Sequence, residues 1–224
     1  MPLEKERVLV SWSGGKDSAM ALYEIHNSQQ YTITALLTTV TEGYDRISMH
    51  GVRRTLLERQ AEALGLPLRE VFISQGASNQ EYESKMRDAL TESQKESIAS
   101  VVFGDIFLED IRRYRERLLS DIGMKAIFPI WKKNTTQLAR AFIENGFKAV
   151  VVCTDPKVLD KTFAGRIYDK NFLHDLPPTI DPCGENGEFH SFVFDAPFFK
   201  SRIACTIGEV VLRDSFYFCD LMPV

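Results

Sequence analysis

Residues 11–18 read SWSGGKDS, a set of residue types suited to holding a phosphate anion. The apolar run RVLVSW (7–12) reads as a strand. From Gly15 to about Asn27, Ala19, Leu22, Tyr23 and Ile25 recur at helical spacing. A helix start carries unpaired N–H groups and a partial positive charge, which together make an anion site. Gly14 and Gly15 let the backbone approach an anion with no Cβ in the way. Ser11, Ser13 and Ser18 bring hydroxyls, and Lys16 brings a compact positive charge. Asp17 would repel a phosphate. It fits as a helix-start residue, as a ligand to Mg²⁺ water, or as an anchor for the loop. The spacing matches neither G-x-x-x-x-G-K-[ST] nor G-x-G-x-x-G.

A second cluster lies about 170 residues downstream, in DPCGENGEFHSFVFDAPFF (181–199). Glu185, Asn186, Glu188 and His190 fall within six residues, flanked by Gly184 and Gly187. Carboxylates with a histidine in a glycine loop can bind an amine, orient a metal or move a proton. Three further positions stand near predicted strand ends. His50, in TEGYDRISMHGVRR, could touch a nucleotide base, cover the site, or lie in solvent. Gly104 and Asp105 close the run SVVFGDI, where Asp105 lines a ligand or caps the next helix. Cys183 has no activating neighbour in sequence and reads as a passive thiol.

These residues need a frame. Strand-like runs at 7–12, 32–40, 69–74 and 100–106 alternate with helix-like segments. Leu56, Leu57, Gln60, Ala61 and Leu64 stripe a helix within 52–64 that stops at Gly65, Ser78 with Glu81 opens a helix running to about Ile98, and Ile111, Tyr114, Leu118 and Ile122 stripe the next. That alternation predicts an α/β fold: a parallel sheet with helices on both faces and ligands at the carboxyl ends of its strands. Asn134 with Gln137 opens another helix, 149–155 is a strand, and three antiparallel β segments close the chain. The expected division is 1–128 for the anion-binding half and 129–224 for a smaller half.

The S-G-G-x-D-S order resembles the pyrophosphate loop of ATP pyrophosphatases. With GDI (104–106), FPIW (128–131) and GENGEFHSFVFDAPFF, it resembles the diphthine–ammonia ligase family of N-type ATP pyrophosphatases, from about Arg7 to Lys200. The resemblance implies a Rossmann-like (HUP-type) ATP half and a C-terminal α+β half that holds the substrate. It implies ATP and Mg²⁺, and an amide-forming reaction: a carboxylate is adenylated, PPi leaves, and ammonia or an amine displaces AMP. On this reading Ser11, Ser13, Gly14, Gly15, Lys16, Asp17, Ser18, His50, Gly104 and Asp105 bind ATP, with Asp17 toward Mg²⁺. Lys16, Asp17, Glu185, Glu188 and His190 are catalytic, and Gly184, Glu185, Asn186, Gly187 and Glu188 meet the substrate. One departure is Asn186, where the family motif is closer to G-E-G-G-E. Residues 46–68 look more like bacterial members, so the chemistry carries over without naming the acid.

Composition sets the remaining bounds. The 224 residues carry 27 basic and 31 acidic side chains, a formal charge of −4, which argues against a dedicated nucleic-acid partner. The four cysteines form no C-x-x-C pair. A tRNA-thiolating pyrophosphatase would want such a pair and a basic region, and a non-catalytic nucleotide sensor would share the fold without the chemistry. No apolar run approaches membrane-spanning length, and no signal peptide is legible, so a cytoplasmic protein is expected. The apolar strand FYFCDLM (216–222) is the expected contact of a homodimer.

Overall fold

Strands and helices alternate through the first half, and their pairing fixes where a ligand can sit. The computed structural model of the chain describes residues 5–43, 46–47 and 51–224. In chain order the first elements are β1 (Glu6–Ser11), α1 (Lys16–Ser28), β2 (Tyr31–Thr41), β3 (Arg46–Ile47), α2 (Arg54–Leu64) and β4 (Leu68–Ile73). α3 (Asn79–Gln94), β5 (Ser100–Val102), α4 (Glu109–Ser120) and β6 (Lys125–Ile127) follow. The parallel strands lie in the order β4-β2-β1-β5-β6. Short β3 adds antiparallel to the end of β2. The chain works outward from β1 on one side, then crosses to β5 and works outward on the other. That reversal opens a crevice beyond the carboxyl ends of β1 and β5, where ligands of such sheets bind.

Alternate residues of β1 face opposite layers, as a strand requires. Val8 and Val10 join a core with α1 and α2, whereas Leu9 joins one with Met86 and Leu90 of α3 and Leu118 and Leu119 of α4. Helices therefore cover both faces of the sheet, the usual condition for a parallel one. The capping signals act as read. Ser78 Oγ accepts the Glu81 N–H at 3.2 Å and Asn134 Oδ1 accepts the Gln137 N–H at 3.0 Å. Gly65 closes α2 at φ 68°.

Three details differ from expectation. α3 stops at Gln94, before Ile98, because Ser97 turns the chain at φ 61° and delivers Ile98 to the core. β5 ends at Val102, since residues 103–107 leave the sheet to line the crevice. Ile111 is 41% exposed, and α4 instead packs through its last turn at Leu118 and Leu119.

The second half contains α5 (Thr135–Glu144), β7 (Lys148–Thr154), a 3-10 turn at Lys161–Phe163, α6 (Lys170–Asp175), β8 (Phe189–Asp195), β9 (Cys205–Arg213) and β10 (Phe216–Pro223). The strands form an antiparallel sheet ordered β8-β7-β10-β9. β10 holds the apolar run FYFCDLM and lies inside this sheet, so β9 is the edge. Phe192 and Phe194 of β8 and Val150 and Val152 of β7 belong to the same core as Val8 and Val10. The two sheets thus share one apolar interior. Among the described residues, no helix is long and apolar enough to cross a membrane.

Candidate active site

The loop after β1 is held from several sides. Gly14 takes φ +76°, and a Cβ there would lie 2.7 Å from Gln60 Oε1 and 2.9 Å from Leu57 Cδ1. Only glycine fits both the conformation and the space. Gly15 caps α1, its N–H donating to Ser13 Oγ at 3.3 Å, while Ser18 Oγ donates to the Gly15 carbonyl at 2.9 Å. α1 has no side-chain N-cap, so its opening N–H groups are left for a ligand or for neighbours. One neighbour is Ser191 of β8, whose hydroxyl accepts the buried Lys16 N–H at 3.2 Å.

Gln60, fully buried on α2, ties the loop to both halves. Its Oε1 accepts the Trp12 indole N–H at 2.9 Å, and its Nε2 donates to the carbonyls of Gly14 at 3.1 Å and Val193 at 2.6 Å. The Val193 N–H also donates to the Gly14 carbonyl at 2.8 Å. β8 is therefore one wall of the loop after β1. Sequence reasoning placed Gln60 on the helix stripe without a role. The signal was there, as a polar residue among Leu56, Leu57 and Ala61 on a buried face.

The Lys16 side chain, 3% exposed as a residue, points into the second half. Its Nζ lies 2.8 Å from Asp17 Oδ2 and 5.1 Å from the centre of the Phe189 ring. Burial works to lower its pKa, but the adjoining Asp17 carboxylate, with Cys183 and Glu185 nearby, outweighs it and holds the ammonium charged. Asp17 moves the same way. Burial and the neighbouring Asp181 and Asp105 push its carboxyl up against the pull of Lys16.

The downstream loop meets the first half directly. Glu185 Oε1 accepts the N–H groups of Ile106 at 2.7 Å and Phe107 at 3.2 Å. Burial pushes this carboxyl up to about 7 despite those two bonds. His190 on β8 is held down at about 4 by burial, with the Lys16 charge adding, so its imidazole is neutral near pH 7. Glu188 is oriented differently from its neighbours. Its carboxylate accepts from the N–H of Asp181 at 3.2 Å and from the N–H and side-chain amide of Asn186, each at 2.9 Å. Those bonds staple the loop to itself, running through Gly184 and Gly187. Asn186, which departs from the family motif, thus serves the staple. Asp181 adds to it by accepting from the N–H of Cys183 at 2.8 Å. The Cys183 thiol donates to the Thr135 carbonyl at 3.4 Å, and burial raises it far above a reactive range. Tyr168, which no sequence motif marked, anchors the loop by donating to the Pro182 carbonyl at 2.6 Å.

Gly104 and Asp105 sit across the crevice. A Cβ on Gly104 would lie 2.7 Å from the Asp17 carbonyl carbon and 2.8 Å from the Ser18 nitrogen, so this position sets how closely the β5 loop approaches the first turn of α1. We expect Gly104→Ala to force those backbones apart. A thermal melt should fall by about 4–8 °C, the scale of roughly 2 kcal/mol of overpacking in a chain this size. Nucleotide affinity should weaken by about tenfold, because the anion cradle widens. An unchanged melting point would contradict the close approach. Asp105 does not cap α4, whose N-cap is Leu108. It pairs with Arg115, Nε to Oδ2, at 2.8 Å. Beside it opens a cavity of about 280 Å³ lined by Ser11, Ser13, Thr38, Thr39, Tyr82 and Phe103. That volume approaches the lower end of small-ligand pockets. His50, assigned to the nucleotide by the sequence, lies outside the described residues.

The basic run RRYRER on α4 offers little free charge. Arg112 pairs with Glu116, Arg115 with Asp105, and Arg117 with Glu83.

The titrations of Glu185 and His190 oppose each other. Glu185 has a carboxyl near 4.5 when unfolded and about 7 when folded, so the folded protein holds the extra proton between these values and stability falls as pH rises through them. His190 shifts from 6.5 down to about 4, so in that window the unfolded chain holds the extra proton and stability rises with pH. Glu185→Gln removes only the first effect. Its urea midpoint should gain on that of the parent protein as pH climbs from 5 to 7.5. A pH-independent difference would remove the assigned titration.

Fold and site together define an ATP pyrophosphatase: a parallel sheet at whose switch point a Ser-Gly-Gly-Lys-Asp-Ser loop opens a helix, roofed by a carboxylate-rich loop from a second sheet. The profile described as diphthamide synthase N-terminal domain matches residues 6–126, and that of the diphthamide synthase C-terminal domain matches residues 134–221. The chain belongs to the diphthamide synthase family, a family of ATP-dependent, amide-forming ligases. Among its curated relatives is the diphthine–ammonia ligase of Mus musculus, 27% identical over 96% of this chain and 88% of that protein. The Homo sapiens ligase is 25% identical over the same shares. The Schizosaccharomyces pombe ligase is also 25% identical over 96% of this chain, but the chain spans only 38% of that protein's length. Among solved structures, the U34-tRNA thiolase NcsA from Methanococcus maripaludis, with its [4Fe-4S] cluster, aligns at a TM-score of 0.38. It is 17% identical over 63% of this chain and 59% of its own. That likeness is too slight to carry an argument.

Proposed function

We propose that this chain adenylates a carboxylate with ATP and converts the acyl-adenylate to an amide with ammonia, diphthine being the first acid to test. The observation that supports it is the meeting of both halves at Lys16, where Ser191 accepts its N–H and Glu185 bridges to the loop after β5. Residues 1–128 bind ATP in this reading and 129–224 present the acid. The cavity beside Ser11, Ser13 and Thr38 suits adenosine. Gly14, Gly15, Ser13, Ser18 and the start of α1 suit the phosphates. Lys16 stabilises negative charge as PPi departs. Among the described residues no three carboxylate, histidine or cysteine side chains are grouped to hold a metal ion, so Mg²⁺ would be held by Asp17 together with the phosphates of ATP. Mg²⁺ bound there would neutralise phosphate charge.

The substrate carboxylate attacks the α-phosphorus and PPi leaves. Ammonia then attacks the acyl carbon, AMP leaves, and the nitrogen sheds a proton. Glu185, titrating near neutrality beside Lys16, is suited to take that proton. Glu188 supports the loop that carries it. The names of the curated relatives support diphthine and ammonia as the acid and amine. The test is PPi release with ATP, Mg²⁺, ammonium and a panel of acids that includes a diphthine-bearing protein, with the amide product identified by mass. Release that needs neither acid nor ammonium would overturn the reading.

A further inference from the structure

Among the described residues β9 is an uncapped edge. It pairs only with β10 in its sheet, and Ile207, Val210, Val211 and Leu212 stand exposed along it, Leu212 at 61%. A long apolar edge strand is a template for another strand, and proteins usually blunt such edges with charge, proline or a bulge; β9 carries a bulge at Gly208–Glu209, where three steps along it match two along β10, and runs regularly from Val210 to Arg213. The charges here are arranged differently. Glu209 and Arg213 lie four residues apart with Val211 between them, and all three line one cleft beside Phe218 and Asp220. They therefore share one face of the strand.

We propose that β9 pairs antiparallel with β9 of a second copy about a two-fold axis through Val211. In an antiparallel pair centred on one residue, position i faces the partner's position 422 − i (twice 211). Glu209 then faces Arg213 of the partner subunit, and Arg213 faces the partner subunit's Glu209. Val210 faces Leu212 of the partner subunit, and Val211 faces its own equivalent. Every cross-strand neighbour in that register is compatible: two ion pairs flank an apolar centre on a strand otherwise left in solvent. Moving the centre one residue either way sets Glu209 or Arg213 opposite an apolar or like-charged neighbourhood and loses both pairs. A two-fold interface requires such self-complementarity from one patch.

The result is a continuous eight-stranded sheet ordered β8-β7-β10-β9-β9-β10-β7-β8. The open clefts beside β9, each about 640 Å³, join on one face of it. The two phosphate loops lie at its far ends. Seven strand spacings of about 4.8 Å put the two β8 strands roughly 34 Å apart, so each active site is complete within one chain. This inference is independent of the reaction proposed above.

Sedimentation equilibrium of the full chain tests it, with PPi release and circular dichroism as controls for folding. The parent protein should sediment at twice the chain mass at 20 µM. Glu209→Arg and Arg213→Glu should each weaken association at least tenfold, since each turns both cross-strand pairs into like-charge contacts. The double variant Glu209→Arg/Arg213→Glu should restore the dimer. A parent protein that stays monomeric at 100 µM overturns the proposal. So does a dimer that survives both single reversals with its affinity unchanged.

Discussion

Lys16→Ala should lower the rate of PPi release by about 10²–10³, the scale expected when one preorganised group that meets developing charge is removed. The lysine is a strong candidate because its position is fixed before any ligand arrives. Its backbone N–H is tied to Ser191, and its ammonium is held between the Asp17 carboxylate and the Phe189 ring. A flexible surface lysine would have to give up rotamer freedom on binding, whereas this one does not. The loss should appear in kcat. Removing the lysine also leaves Asp17 without its partner, but that carboxylate keeps contact with solvent, its side chain being 30% exposed, and can rehydrate or take a proton. The stability loss should therefore stay within about 2 kcal/mol. Lys16→Ala/Asp17→Asn separates the effects: it should recover part of the stability and none of the rate. Full PPi release by Lys16→Ala, measured at saturating ATP, would remove Lys16 from the chemistry.

Gln60→Leu should be among the most damaging single changes in the described structure, although Gln60 touches no expected substrate. The variant keeps the side-chain bulk. It leaves the Trp12 indole N–H and the Val193 carbonyl without the amide that bonds them, in a site with no exposure. A buried polar group left unpaired costs about 1–3 kcal/mol. Two such groups give roughly 3 kcal/mol, and a melting point lower by about 6–12 °C. The rate should fall as well, because the same amide sets the distance between the Gly14 carbonyl and β8. Gln60→Glu tells packing from hydrogen bonding: it keeps the acceptor for Trp12 but loses the donors to the two carbonyls. If Gln60→Leu melted within 2 °C of the parent and released PPi normally, the clamp would have no energetic content.

Much of the frame was legible because local signals and tertiary demands agree. Ser78 with Glu81, Asn134 with Gln137, and Gly65 each announce an element end that needs no long-range information. The turn from β1 into α1 was legible for the same reason, since its backbone requirements are local. Glu188 shows where that legibility ends. Sequence marks it as a carboxylate in a chemical loop, beside Glu185. Only the fold shows that one carboxylate reaches across to the N–H groups of Ile106 and Phe107 while the other closes its own turn. Two glutamates three residues apart in a glycine loop carry no periodicity that tells them apart. Gln60 was hidden by the opposite error. Its neighbours on α2 are apolar, and the stripe absorbed it although a buried amide must find partners somewhere. Ile111 was misplaced because the buried residues of α4 are confined to its last turn, at Leu118 and Leu119, which a periodic pattern cannot show.

The shared wall at β8 bears on how this chain can be taken apart. Ser191 and Val193 bond to the loop that follows β1, and Phe192 and Phe194 fill the interior beneath it. The first sheet thus borrows part of its lining from residues nearly two hundred positions away. The two halves are not modules that recombination could shuffle independently. A chimera that joined the first half of one relative to the second half of another would have to match β8 to a foreign α2 and a foreign Gln60 position. Even the stretch after β6, between the two profile matches, is tied in, since Ile130 is fully buried and Phe128 stacks on Phe103, which leaves only Lys132 and Lys133 exposed there. Cooperative unfolding in one step follows from the same interdependence, although the chain is built around two sheets.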